Sequence, residues 1–206
     1  MMKAFWDNRY GLENYAYGTA PNEFFRAQIH RFQQGDTIIF PAEGEGRNAV
    51  FAAETGMLSK AFDQSVEGKR KAEKLAADRG CAIEYQVVDG GSADYPANSA
   101  DGAVFIFAHF DEATRIEVHL QAANWLKEKG LIIFEAFSKN HLAYQAQYPG
   151  VGGPKELSML VSKEDILAEF PNFNVLYLEE EIIELNEGDC HCGKGSVIRF
   201  IGEKKA

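Results

Sequence analysis

The residues best suited to meet a ligand lie in one stretch, residues 37–56, TIIFPAEGEGRNAVFAAETG. Thr37, Ile38, Ile39 and Phe40 favour a strand, Pro41 and the loop Gly44-Glu45-Gly46 follow, and the Ala-rich residues 49–53 have helical composition and stop at Gly56. Glycines let backbone come close to a bound molecule, and the start of the following helix offers free N–H groups to electronegative atoms. Gly44-x-Gly46-x-x-Ala49, with Asp63 closing a second apolar strand over residues 57–62, fits a relaxed dinucleotide fingerprint in which a carboxylate accepts ribose hydroxyls. The same residues also describe a glycine turn in an ordinary α/β domain, with Asp63 capping the next helix.

Two further groups carry chemical potential. His109 ends a strand-like run, residues 103–108, at the edge where open α/β sheets bind ligands. It is the candidate general base, or else a structural histidine anchoring the next helix. Cys190-His191-Cys192 has no second cysteine pair to close a zinc site, so no metal is expected; the triplet reads as a turn with exposed thiols, or as one that brings His191 to a substrate. Glu179-Glu180-Glu181 reads as a solvated edge.

The elements that must position these groups can be read in order. Residues 3–36 are dense in aromatics, and Pro21-Asn22-Glu23 begins a helix that either packs on the sheet or covers a ligand. Ser65 caps a helix running to Arg79, with Gly80 beyond it; Gly68 inside it signals close packing or an irregular first turn. A third strand, residues 82–88, ends at Asp89. Residues 103–108 and 131–134 are continuous apolar runs, as in parallel strands buried on both faces. Between them Asp111 opens a helix with an apolar face of Ala113, Ile116, Leu120 and Ala123, ended by Lys127, Lys129 and Gly130. Residues 137–157 read as a long loop bordering a substrate, and Ser162 to Asp165 as a capping box. Residues 175–185 and 196–201 then form an antiparallel pair joined by a loop over 186–195.

The chain has 206 residues, 46% of them hydrophobic, which suits one domain. A net charge of −10 with scattered Lys and Arg argues against nucleic acid and for a small-molecule partner. Three cysteines suggest no disulfide framework and suit a reducing cytoplasm; the N-terminus has no apolar signal core, and no apolar run reaches the roughly 18 residues of a membrane span. A soluble, cytoplasmic protein is expected, as monomer or homodimer.

Five strand–helix repeats followed by an antiparallel hairpin differ from a dinucleotide-binding domain, whose sixth strand is also parallel. Over nearly its whole length the chain resembles the class I S-adenosylmethionine (SAM) methyltransferases. The resemblance rests on residues 44–50 (GEGRNAV), on residues 61–65 (AFDQS) with Gly68, and on the N-terminal Trp6, Asp7, Arg9, Tyr10, Tyr17, Gly18, Pro21 and Asn22. These are similar to small bacterial methyltransferases of the tellurite-resistance and thiopurine-methyltransferase type. The resemblance implies an α/β fold, a Rossmann-like three-layer αβα sandwich whose seven-stranded, mostly parallel sheet ends in an antiparallel hairpin. It implies a single domain over 1–206, with 1–36 an aromatic helical lid and 37–206 the core.

It further implies methyl transfer to an N, O or S nucleophile of a small molecule, leaving S-adenosylhomocysteine (SAH). Gly44 and Gly46 would pass beneath the methionine part of SAM, Asp63 would hold the ribose and Asp89 the adenine amino group. Trp6, Tyr17 and Asn22 would close over the cofactor, and Phe107, Ala108 and His109 would line the methyl-transfer mouth. Ala42, Glu43, Glu45, Arg47, Asn48, Gln64 and Ser65 complete the implied cofactor set; the substrate candidates are Tyr17, with His141 and Tyr144 from the long loop and His191 from the Cys-His-Cys turn. The chain departs from the family pattern at Phe40 and Ala42, which replace an acidic residue and a first glycine; Glu43 or Glu45 could substitute for the acid. Two other readings stand beside this one: an NAD(P)-binding oxidoreductase, on the glycine fingerprint and Asp63, and a non-catalytic SAM-binding protein, on the Phe40 and Ala42 departures.

Overall fold

The structure, a computed structural model, describes residues 2–188 and 190–206. Seven strands form one sheet: β1 (Thr37–Pro41), β2 (Leu58–Asp63), β3 (Glu84–Val87), β4 (Ala100–Ile106), β5 (Leu126–Phe137), β6 (Phe173–Glu187) and β7 (His191–Lys204). Their order is β3-β2-β1-β4-β5-β7-β6; β1 to β5 pair in parallel, and β7 pairs antiparallel with both β5 and β6. The helices are α1 (Met2–Tyr10), α2 (Glu23–Gln28), α3 (Arg47–Glu54), α4 (Val66–Asp78), α5 (Glu112–Trp125), α6 (His141–Gln147) and α7 (Lys163–Glu169).

Period-2 alternation along the strands divides the core into two layers. Ile39, Phe105, Phe134 and Phe200 point to the face covered by α5 and α7. Ile38, Phe40, Val104 and Ile133 point to the other, where Phe24 and Phe25 of α2, Ala49 and Ala52 of α3 and Ala72 of α4 pack. The result is the expected three-layer sandwich. Within the N-terminal segment, α2 is thus a core helix, and its cap is Asn22, whose side chain accepts from Phe25 N. Phe40 is wholly buried in this layer, so the residue that replaces the usual acid is a packing residue.

Four expectations need correction. In α5 the buried face is Arg115, Val118, His119, Ala122 and Trp125, while Ile116 and Leu120 are exposed. Glu169 of α7 makes this possible: its carboxylate meets Arg115 Nη2 at 2.9 Å and His119 Nδ1 at 2.6 Å, so polar groups turned inward find partners. The helix ends at Trp125, not at 127–130, because Leu126 is already extended and fully buried where β5 begins. Core packing there outweighs the C-terminal charge and glycine signals. Residues 137–157 are not one loop, since they contain α6 and Ser138 bridges Val161. The loop expected over 186–195 is largely strand, with β6 and β7 paired out to Glu187 and His191; Asp189 in the joining turn lies outside the described residues.

No helix among the described residues is long and apolar enough to cross a membrane.

Candidate ligand site

The parallel strands all end on one edge of the sheet, and the chain leaving β1 to β4 encloses a cavity of about 790 Å³ there. The strand order divides its lining. Asp63, Gln64, Asp89 and Gly90 leave β2 and β3 on one side of β1, whereas Phe107 and His109 follow β4 on the other, near His191. Phe5, Trp6, Arg9 and Tyr10 of α1, with Tyr17, also line it.

α1 is fastened down by Asp7, whose Oδ1 accepts from Ser65 Oγ at 2.6 Å and from Val66 N at 3.0 Å, at the start of α4. The hydrogen bond from Ser65 and the nearby Lys3 lower the Asp7 carboxyl below its ordinary range. Trp6 and Tyr10 stack at 5.3 Å, and Arg9 lies over Phe5 and donates to Tyr17 Oη at 2.8 Å.

The acidic end is built from β1 and β2. Asp63 Oδ1 accepts from Ser65 N at 2.8 Å and Oδ2 from Gly44 N at 3.1 Å, and burial pushes its carboxyl up to about 6. Glu43 Oε1 accepts from Asn48 N and Ala49 N, both at 2.8 Å, and so caps α3. Burial raises this carboxyl to about 7, and Glu43 has no ion-pair partner among the described residues. Glu45, the other candidate for the missing acid, is engaged elsewhere: Lys71 Nζ lies 2.8 Å from Oε1, and Ala16 N donates to Oε2 at 2.8 Å. Ala42 and Phe107, which also line the cavity, hold left-handed backbone with φ of 50° and 51°, a conformation costing a non-glycine residue about 1–2 kcal/mol.

Other anticipated residues lie outside the lining. A Cβ on Gly44 would stand 2.6 Å from Tyr10 Oη, and one on Gly46, where φ is +89°, would stand 2.5 Å from Ala72 Cβ. Both glycines therefore serve close packing with α1 and α4. Ser65 caps α4 and holds Asp7, and Ala108 belongs to the core. His141 is fully buried, with Ser196 N donating to Nδ1 at 3.3 Å and Nε2 donating to Gly152 O at 3.1 Å. Neither His141 nor Tyr144 is brought to the cavity. His109 lies parallel to Phe137 at 5.6 Å; its ring nitrogens are buried without partners among the described residues, and burial lowers it to about 3. No His, Cys, Asp and Glu cluster among the described residues could hold a metal ion.

Behind the cavity runs a polar network that the sequence reading missed. Asn22 is not in the lining; its Nδ2 donates to Glu135 Oε1 at 2.7 Å and to Glu187 Oε1 at 3.1 Å. Arg199 pairs with Glu135 at 2.5 Å, and Arg47 meets both oxygens of Glu187 at 2.9 Å. Glu187 in turn holds His191, a lining residue, at 3.0 Å. One signal was present: Glu135 immediately follows four apolar residues, where a fully buried carboxylate requires a cation.

No family model matches the sequence, and no curated protein matches it. Solved structures share its architecture. A SAM-dependent methyltransferase from Methanosarcina mazei is 20% identical with a TM-score of 0.71, over 86% of this chain and 96% of that one. TehB from Haemophilus influenzae is 14% identical with a TM-score of 0.73, over 98% and 67%. A structure described for the conversion of a disulfide bond into a thioacetal group during echinomycin biosynthesis is 13% identical with a TM-score of 0.80, over 100% and 93%. The fold is thus the Rossmann-like one shared with these methyltransferase structures, and in this chain its sheet ends in an antiparallel C-terminal hairpin.

Proposed function

We propose that this chain is a SAM-dependent methyltransferase acting on a small molecule. The observation that carries the reading is the acidic end of the cavity. Each oxygen of Asp63 accepts one backbone N–H and has capacity for a further donor, and Glu43, whose Oε1 caps α3, makes no ion pair among the described residues. These groups suit the donors of SAM: Glu43 its ammonium, Asp63 its ribose hydroxyls and Asp89 its adenine amino group. Neighbours of the same fold described as SAM-dependent methyltransferases support the reading.

SAM supplies a methyl group on a sulfonium, which is already a good leaving group. The chain's own task is to align the acceptor and exclude water. Phe5, Trp6 and Tyr17 would cover the bound molecule, while Phe107 and the Gly152-Gly153 backbone would shape the acceptor end. The free cysteines Cys81, Cys190 and Cys192 suit a reducing, cytoplasmic setting.

Calorimetric titration with SAM, SAH, NADH and NADPH in parallel tests this. Micromolar binding of SAM and SAH alone is expected; binding of a nicotinamide cofactor alone would transfer the reading to an oxidoreductase. SAM binding without turnover across an acceptor panel would identify a binding protein instead.

A further inference from the structure

At the end of the cavity away from Asp63, the β6–β7 hairpin makes an arrangement that the acidic end does not require. Glu187 and His191 are direct cross-strand partners beside the turn, with His191 Nδ1 3.0 Å from Glu187 Oε2. Arg47 grips the carboxylate with two nitrogens at 2.9 Å, and Asn22 donates to it at 3.1 Å. Held by His191 and Arg47 against the opposing effect of burial, Glu187 titrates at about 2 and is an anion at neutral pH. A carboxylate only accepts hydrogen bonds, so His191 Nδ1 carries the proton and Nε2 keeps its lone pair.

Nε2 makes no hydrogen bond among the described residues, and the ring lines the cavity. Tyr17 and Phe107 flank it, with ring centroids 4.5 and 4.8 Å away. Gly152, at φ +74°, leaves space at the nitrogen: a Cβ there would come within 3.3 Å of Nε2 and 2.8 Å of Cδ2. Burial chiefly opposes a charge on this imidazole and Glu187 of β6 favours one; Arg47 of α3 and Arg9 of α1 oppose it further, and His109 and His141 face it as neutral rings. His109 has no carboxylate beside it to fix a tautomer or to balance an imidazolium.

We propose that His191 is the general base of the transfer, with Glu187 as the positioning residue that sets its tautomer, and that the acceptor is an apolar, ring-bearing molecule with a weakly acidic O–H. This rests on the methyl-transfer reading. The acceptor oxygen gives its proton to Nε2 and bonds to the methyl carbon, leaving the electron pair of the broken C–S bond on sulfur. The imidazolium, balanced by Glu187, then releases its proton to solvent.

Nitrogen NMR of the histidine rings in the free protein gives the first test. His191 should show a protonated Nδ1 and a bare Nε2, and Glu187→Gln should remove that preference. A protonated Nε2 in the wild type overturns the assignment, whatever the cofactor proves to be. The second test is single-turnover transfer from SAM at about pH 8 to phenol, protonated there, and to thiophenol, largely ionised there. His191→Gln should slow transfer to phenol roughly 10²- to 10³-fold, and at least about tenfold more than it slows transfer to thiophenol. Equal losses for both acceptors, or no loss for phenol, overturn the base. Failure of the wild type to use phenol overturns the acceptor class. Failure of SAM to bind overturns the methyl-transfer reading and with it the role of His191 as the base of that transfer, whereas a protonated Nε2 with SAM bound overturns the base alone.

Discussion

Replacing Gly46 by Ala separates packing from ligand contact at the glycine turn. The residue sits at φ +89°, and its new Cβ would lie 2.5 Å from Ala72 Cβ and 2.8 Å from Ala72 Cα. Left-handed backbone costs a non-glycine residue about 1–2 kcal/mol. Forcing a methyl against a helix backbone adds about 1–3 kcal/mol, because α4 cannot give way as the tip of a flexible side chain would. Restricting the unfolded chain returns about 0.4–1 kcal/mol. The net loss is about 1–4.5 kcal/mol, which for a chain of this size lowers Tm by roughly 2–18 °C. Urea unfolding with an unchanged m-value would measure it, and Ala72→Gly in the same chain should recover part, since only the Cβ–Cβ clash is relieved. A loss below about 1 kcal/mol would refute the packing argument, as would weaker SAM binding at unchanged stability.

Three further outcomes are expected. Lys71→Met strands Glu45 where both side chains are 4% exposed, and should cost about 3–5 kcal/mol in denaturant unfolding; adding Glu45→Gln should restore much of it. Glu43 has a folded value of about 7 against an ordinary 4.5, so the stability that this group contributes is complete below pH 4.5 and is lost as pH rises through 7. The stability of Glu43→Gln relative to wild type should therefore grow by about 3 kcal/mol between acidic and mildly alkaline pH, and a pH-independent gap would contradict the assigned burial. Asp63→Ala should weaken SAM binding by about 1.5–3 kcal/mol in calorimetry; unchanged affinity would remove Asp63 from the site.

The parallel half of the fold was legible because its signals are local. Apolar strands such as residues 131–134, the Ser65 and Asp111 caps and the Ser162 capping box each declare themselves within a few residues. The face of α5 was misread because its true partner, Glu169, is distant in sequence and reverses what Arg115 and His119 signify. The positions of Glu43 and Asp63 at the ends of β1 and β2 could be read from the sequence; that Gly44 and Gly46 lie tight against Tyr10 and Ala72 could not, since a glycine that serves a helix looks the same as one that serves a ligand. His191 was seen as a residue, but Glu187, Arg47 and Asn22 come from three other parts of the chain, and only folding reveals them as its support.

The hairpin that carries Glu187 and His191 also makes the cavity sensitive to a kind of change that spares composition. Along β7 the side chains alternate, with His191 buried and the next residue, Cys192, exposed. Side-chain direction in a strand reverses with every residue, so a one-step slip of β7 against β6 would turn the imidazole out to solvent and put a thiol in its place. The seven pairs from Leu131↔Glu203 to Phe137↔Val197 lock β7 against β5, far from the turn. A deletion of one residue between that anchored stretch and the hairpin tip would leave the sheet standing and every side chain in the chemistry present, yet facing the wrong way.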